Sequence, residues 1–235
     1  MKTPVALGIL AFCGILQSVS GYGMLNTLRM GIARQKSTVQ STKNRLERES
    51  RQFDSKMSRQ LSDAKIHSMQ EINALVNPAL KSVEDSTKRS TAEGKDATHC
   101  YDAAKAKLRE SSMKSWNDLD GCRDAVLSSV SDTQNNFDAA ITSGQQVLSY
   151  YDSIMTSCFA TSVQQMESCV VGKLPEGAQL VQAFQSTAND VINNSASVSS
   201  TAQVNAINCN RGPVANVRDD VSSAKFEANQ CVAAL

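Results

Sequence analysis

The placement of the cysteines constrains this 235-residue chain more than any other feature of its sequence. Cys13 lies near the N-terminus, and the other six are Cys100, Cys122, Cys158, Cys169, Cys209 and Cys231. These six are arranged almost symmetrically about residue 165. Two long antiparallel helices would bring symmetric positions to the same level. The spacing therefore favours the nested pairs Cys100–Cys231, Cys122–Cys209 and Cys158–Cys169 among the 15 possible connectivities.

Helix geometry supports part of this scheme and leaves part of it open. Within one helix 22 residues rise about 33 Å, whereas the Cα atoms of a disulfide lie about 4.4–6.8 Å apart. Cys100 therefore cannot reach Cys122 unless the chain folds back between them. The same argument, at about 16 Å, applies to Cys158 and Cys169. Neither Gly nor Pro lies between those two, and the clearest turn signal comes after them, at residues 172–177.

The number and spacing of the cysteines indicate disulfides rather than zinc ligands. A zinc site needs close pairs such as C-x2-C, and the sequence has none. An even number of cysteines in an exported chain is typical of a disulfide framework. We therefore expect three disulfides and no metal or other cofactor.

Residues 1–21 have the pattern of a cleaved secretory signal. Lys2 precedes a run of 12 apolar or small residues, VALGILAFCGIL, and further small residues follow. The run is too short to span a bilayer, which takes about 20 residues. A buried apolar helix is the alternative interpretation. We expect cleavage near residue 21, which would remove Cys13 and make the mature protein secreted and extracellular, without a transmembrane segment.

The apolar residues of the first half follow a helical period. One row recurs every seven residues, as in a coiled coil, and consists of Leu25, Ile32, Val39, Leu46 and Phe53. The positions between them are mostly polar, which predicts a helix that docks weakly. The Asn77-Pro78 dipeptide predicts the end of this helix, because the residue before a proline disfavours the helical conformation. A second, shorter helix is expected over residues 79–92.

The second half carries the strongest periodicity. From Cys100 to Cys158 the small and apolar residues follow one another in steps of 3, 4, 7 or 11, which is typical of one helix face. After the predicted turn at 172–177 the pattern resumes, and Gly212-Pro213 predicts a break or kink before a last helix. With only 11 Gly, 4 Pro and 5% aromatic residues, an all-β fold is not expected. The predicted fold class is all-α, with long antiparallel helices forming a hairpin or bundle stapled by disulfides.

The same signals predict three segments, namely the signal 1–21, a basic helical segment 22–97 and a six-cysteine helical domain 98–235. A net charge of +1 excludes a strongly basic nucleic-acid-binding protein. Residues 22–114 hold 18 basic and 11 acidic residues, and residues 115–235 hold 5 and 12. This asymmetry would suit complementary packing of the halves, contact with an anionic glycan or lipid surface, or a solvated helix face. The interleaved acidic residues favour the solvated face.

The sequence offers little chemistry for catalysis. Its only imidazoles are His67 and His99, and His99 adjoins a cysteine assigned to a disulfide. Motifs for a nucleophile elbow, a phosphate loop or a zinc-protease helix do not occur. Asp118, Asp120 and Asp124 are expected on a solvated face, and the single Trp116 in packing. We therefore expect no enzyme, and one candidate modification, N-glycosylation of Asn193 in the sequon Asn193-Asn194-Ser195.

The cysteine-containing segments are similar to those of a known family. The residues Cys100-Tyr101-Asp102, Cys122-Arg123-Asp124-Ala125 and Cys158-Phe159-Ala160, with Cys169, Cys209 and Cys231, resemble the tsetse EP-type domain of insect secreted proteins. The resemblance covers residues 98–235. It implies a helical protein of insect gut, salivary or reproductive fluid, with no catalytic residues and an undefined molecular role. The basic segment before the first cysteine is not part of that pattern.

These observations lead to two functional expectations. The first is a structural or interaction protein of an extracellular fluid, which self-associates or contacts another protein, a glycan or a lipid surface through its helices. The alternative is an extracellular carrier of a small apolar ligand held between helices.

Overall fold

The computed structural model describes residues 21–235, and side chains from residue 23 onward. The predicted signal segment 1–21 lies almost entirely outside the described residues. Four α-helices occupy the described part: α1 (Gly21–Ala92), α2 (Thr98–Ser129), α3 (Ser131–Ser157) and α4 (Val163–Ala233). No strand occurs within this range, so the predicted all-α class, with long helices and three disulfides, is confirmed.

Two predicted interruptions do not occur. Helix α1 runs without a break through Pro78, so the expected end at Asn77-Pro78 is wrong. Helix α4 likewise runs through residues 172–177 and through Gly212-Pro213. Each proline removes one backbone hydrogen bond from its helix. Burial of the helix face on both sides of the proline, such as Val76 and Ala79 around Pro78, outweighs that loss.

The chain reverses direction instead between α3 and α4, at residues 158–162. Ser162 caps the new helix, because its Oγ accepts the backbone N–H of Gln165 at 3.3 Å. Ser-x-x-Gln is the sequence of a capping box, a helix start signal that needs no glycine or proline. This turn explains how Cys158 can reach Cys169 although the sequence between them contains no turn former.

The end of α1 follows the predicted position. Gly94 adopts a left-handed conformation with φ of 85°, which glycine takes without a steric penalty. The N–H of Lys95 donates to the carbonyl of Ser90 at 3.1 Å, as in a Schellman cap. Asp96 then accepts the N–H of Thr98 at 3.0 Å, at the start of α2.

The chain forms two compact units. The first unit contains the described residues up to Arg51 together with Asn135–Asn194, and the second contains Gln52–Gln134 and Ser195–Leu235. Each unit therefore packs one stretch of α1, one of α4 and one of the chain between them. Each also combines part of the expected segment 22–97 with part of the expected domain 98–235.

An eleven-residue repeat defines the buried face of the helices. On α1 the buried positions include Leu46, Met57, Ser68, Ala79 and Ser90; on α2 they include Cys100, Ser111 and Cys122; and on α4 they include Phe184, Ser195, Ala206, Val217 and Ala228. Eleven residues make three turns of 3.67 residues, close to the 3.6 of a straight helix. The seven-residue row at the start of α1 is also buried. Most of the small and apolar residues that were predicted to form one helix face between Cys100 and Cys158 are buried too, but they lie on two helices, α2 and α3, that are separated at Val130.

The cores of the two units are filled differently. In the second unit, small and branched residues of three helix segments form one cluster, including Ile72, Leu108, Leu119, Val214 and Val217. In the first unit, aromatic rings lie directly on glycines: the Phe184 ring covers Gly144, and the Tyr151 ring covers Gly177. Glycine allows the helix backbone to approach the ring closely, which compensates for the few large side chains of the sequence.

Candidate functional site

Three disulfides join the cysteines in the nested arrangement that the spacing favoured. Cys100 is bonded to Cys231, Cys122 to Cys209 and Cys158 to Cys169, with Cα–Cα distances of 5.7, 5.7 and 5.5 Å. The first two bonds join α2 to α4 within the second unit, and the third closes the turn of the first unit. The equal spacing of 22 residues on α2 and α4 corresponds to two eleven-residue repeats. Both bonds can therefore lie along the same helix–helix interface.

A histidine lies against one of these bonds. The Nε2 atom of His99 is 3.5 Å from the Sγ of Cys100 and 3.3 Å from the Sγ of Cys231. His99 is exposed in the first turn of α2, and Cys231 lies in the last turn of α4. Cys100 is almost completely buried, whereas Cys231 is partly exposed. The arrangement places a nitrogen that can donate a hydrogen bond beside an accessible disulfide.

Within the described range, the same three residues form a group of metal-binding residue types, with candidate ligand atoms within 4.8 Å of one another. The metal ligand in proteins is the thiolate, and here both sulfurs are bonded to each other. While that bond is intact, neither sulfur is a thiolate that could bind a metal ion.

The other residues considered from the sequence are dispersed. His67 is exposed on α1 and lies 3.8 Å from Glu71 on the same helix. Asp118 and Asp124 are exposed, while Asp120 forms an ion pair with Lys65 of α1 at 2.5 Å. Trp116 packs partly buried against the core cluster of the second unit, as expected. Asn193 is exposed on α4, and its glycosylation stays a prediction.

The basic residues of α1 divide into two groups. Lys36 pairs with Asp152 of α3, Lys43 donates to Gln145 of α3, and Lys65 pairs with Asp120 of α2. These contacts show complementary charge between helices inside each unit. The sequence had favoured a solvated face for these basic residues, so the structure adds contacts that were not expected. The arginines of α1 in the first unit are exposed: Arg29, Arg34, Arg45, Arg48 and Arg51. Of these, Arg45 also donates a hydrogen bond to Asn189 of α4 at 3.4 Å.

The interior of the first unit leaves little space between its helices. A Cβ placed on Gly144 would lie 2.7 Å from the Phe184 ring, and one on Gly177 would lie 2.8 Å from the Tyr151 hydroxyl. Phe184 and Tyr151 are each about 1% exposed. The aromatic rings therefore fill the space between the helices at these two positions.

Some large apolar side chains are exposed rather than buried. Phe159, in the turn beside the Cys158–Cys169 bond, is 81% exposed, and Phe226 on α4 is 62% exposed. Single exposed apolar residues are common on protein surfaces, so neither defines a contact surface by itself.

Comparisons with known proteins identify no relative of this chain. The chain matches no model of a protein family, and no curated protein matches it. None of the helices described from residue 21 onward combines the length and apolar character that crossing a membrane requires. Three disulfides are typical of proteins in oxidising compartments.

Proposed function

We propose that this is a secreted, non-catalytic protein of an extracellular fluid that acts by contacting other molecules through its helix surfaces. One observation carries the proposal: aromatic rings and disulfides close the helix–helix interfaces of the described units, while cationic side chains point outward. The resemblance to the tsetse EP-type domain favours an insect gut, salivary or reproductive fluid. It also agrees with a role that needs no catalytic residue.

The proposed contact surface is the exposed arginine face of α1 in the first unit. Residues 21–51 contain seven basic and two acidic residues. The lysines Lys36 and Lys43 are engaged with α3, which leaves the arginines as the accessible cations. Arginine binds sulfate, phosphate and carboxylate groups in a bidentate manner. The partner class that fits this surface is therefore an anionic glycan or acidic protein of the extracellular fluid.

Retention on immobilised heparin, a sulfated glycan, tests this surface. Replacing Arg34, Arg45 and Arg48 by Ala should lower the salt concentration needed for elution, because fewer counterions are released on binding. The matched control replaces Lys56, Arg59 and Lys114, three exposed cations of the second unit, by Ala. Equal shifts in the two variants would show attraction to net charge alone and contradict the proposed surface.

The mass of the native protein distinguishes the proposed interaction protein from the alternative, a carrier of a small apolar ligand. Native mass spectrometry of the protein secreted from eukaryotic cells should show the polypeptide with three disulfides and any glycan, as a monomer or an oligomer. A bound compound of a few hundred daltons that leaves on activation would support the carrier and contradict the closed interior.

A further inference from the structure

We propose that the Cys100–Cys231 bond is a thiol–disulfide exchange site at which a thiol-bearing molecule attaches to the protein. The inference goes beyond the proposed function, since it assigns a covalent chemistry to one end of the second unit. It rests on two features, the unequal burial of the two sulfurs and the position of His99 against both.

The burial of the two cysteines determines which sulfur is attacked. Cys100 is 1% exposed, whereas Cys231 is partly exposed in the last turn of α4. An incoming thiolate reaches Cys231 Sγ more easily than Cys100 Sγ. Its electron pair forms the new sulfur–sulfur bond to Cys231, and the electron pair of the old bond leaves on Cys100 Sγ. The external thiol is oxidised to a mixed disulfide, and Cys100 is reduced to a thiolate.

Two groups stabilise the thiolate that leaves. The His99 Nε2 atom, in the tautomer that carries its hydrogen there, lies 3.5 Å from Cys100 Sγ and can donate a hydrogen bond to the developing negative charge. Cys100 also lies in the first turn of α2, where the helix dipole favours an anion. The exchange is reversible, because the Cys100 thiolate can attack the mixed disulfide and expel the attached thiol.

The Cys122–Cys209 bond provides an internal comparison. It also joins a buried cysteine of α2 to an exposed cysteine of α4, with the same Cα–Cα distance of 5.7 Å. The only other imidazole of the sequence, His67, contacts Glu71 on its own helix. Cys122 lies far from the N-terminal end of α2 and about two turns before its C-terminal end. The two bonds therefore share a buried cysteine on α2 and differ in the imidazole and the helix terminus. Cys209 is more exposed than Cys231, so accessibility alone would favour attack at Cys122–Cys209.

The experiment follows both bonds in the oxidised full-length protein during exposure to reduced glutathione at one fixed pH. Samples are alkylated at intervals and digested with trypsin, which places Cys100 in peptide 96–105, Cys231 in 226–235 and Cys122 in 115–123. We expect Cys100–Cys231 to open about tenfold faster than Cys122–Cys209, since a hydrogen bond to a charged group is worth at least that factor. Glutathione should appear on Cys231 and the alkyl group on Cys100.

Two variants separate the role of His99 from a structural one. H99A should slow opening of Cys100–Cys231 about tenfold and leave Cys122–Cys209 unchanged, and H99Q, which keeps an N–H donor, should recover part of the rate. H67A is the matched control and should change neither. Equal opening rates in the wild-type protein and H99A, an equal slowing of both bonds, or glutathione found on Cys100 would each overturn the proposal.

Discussion

Two glycines set how closely the helices of the first unit approach. Gly144 of α3 faces the Phe184 ring, and Gly177 of α4 faces the Tyr151 ring. Neither glycine adopts a left-handed conformation, so their role is to leave room for a ring rather than to turn the chain. Each pair joins a glycine of one helix to a ring of the other, between α3 and α4. Phe184 and Tyr151 are among the largest fully buried side chains of the described residues.

The substitution G144A should destabilise the protein by about 1–3 kcal/mol, because its Cβ would overlap the buried Phe184 ring. The matched control is G172A in α4 of the same unit, where an added Cβ meets nothing within 4 Å. That control should stabilise by about 0.5–1 kcal/mol through helix propensity. Urea unfolding of both variants checks the prediction. Stabilisation by G144A would show that the ring does not lie on the glycine.

Two adjacent tyrosines report on the same packing through their titration. Burial, followed by the hydrogen bond and charge of Glu176, raises the pKa of Tyr150 to about 12. Burial alone raises the pKa of Tyr151 to about 12. The folded state then keeps two protons that the unfolded chain loses above its usual phenol pKa of about 10. The contribution of these two tyrosines to stability should be constant below pH 10 and should fall as the pH rises from 10 to 12.

A spectroscopic titration of tyrosinate absorbance tests this. The wild-type protein should show two tyrosines ionising near pH 12, and Y151F should lose one of them. If Y151F instead lost a transition near pH 10, Tyr151 would be solvated and the core of the first unit would be less closely packed than described.

At the scale of the helices, the sequence predicted which helix faces are buried better than it predicted where the helices begin and end. The apolar members of the buried rows of α1, α2 and α4 follow from apolar spacing, since burial requires one continuous face. The buried serines of the same rows, such as Ser68, Ser111 and Ser195, do not follow from it. The ends at Pro78 and Gly212-Pro213 were wrong, because a long buried face on both sides outweighs one missing hydrogen bond. The true turn at residues 158–162 was missed. Its signal was the cap Ser162 with Gln165, which carries no glycine or proline.

Replacing Pro78 tests whether α1 is one continuous helix, because the expected change in stability differs between one continuous helix and two separate helices. In the interior of α1, proline lacks an N–H for the helix, so P78A should raise the free energy of unfolding by about 1–3 kcal/mol. At the first position of a separate helix over 79–92, proline would be favourable and P78A would be neutral or destabilising. Pro78 is exposed, so the substitution removes no core contact. Thermal unfolding of the single variant distinguishes the two cases.

At the scale of the whole molecule, the pairing of the cysteines was accessible from the sequence because it reflects antiparallel register. Positions that add to 331 lie opposite one another on α2 and α4, and Ser111 and Asp220, which add to the same value, form a hydrogen bond of 2.6 Å. The predicted Cys100–Cys231 pair also brings His99 close to Cys231, since His99 adjoins Cys100. The approach of the His99 Nε2 atom to both sulfurs was not accessible, because it depends on the conformation of the side chain. The ion pairs of α1 were missed as well, since net charge does not show which side chains face each other.

A non-reducing tryptic map of the secreted protein tests the central claim, the nested antiparallel arrangement, most directly. We expect peptide 96–105 linked to 226–235, peptide 115–123 linked to 174–211, and peptide 124–173 with an internal disulfide. A link between 115–123 and 226–235, or between 124–173 and any other peptide, would contradict it.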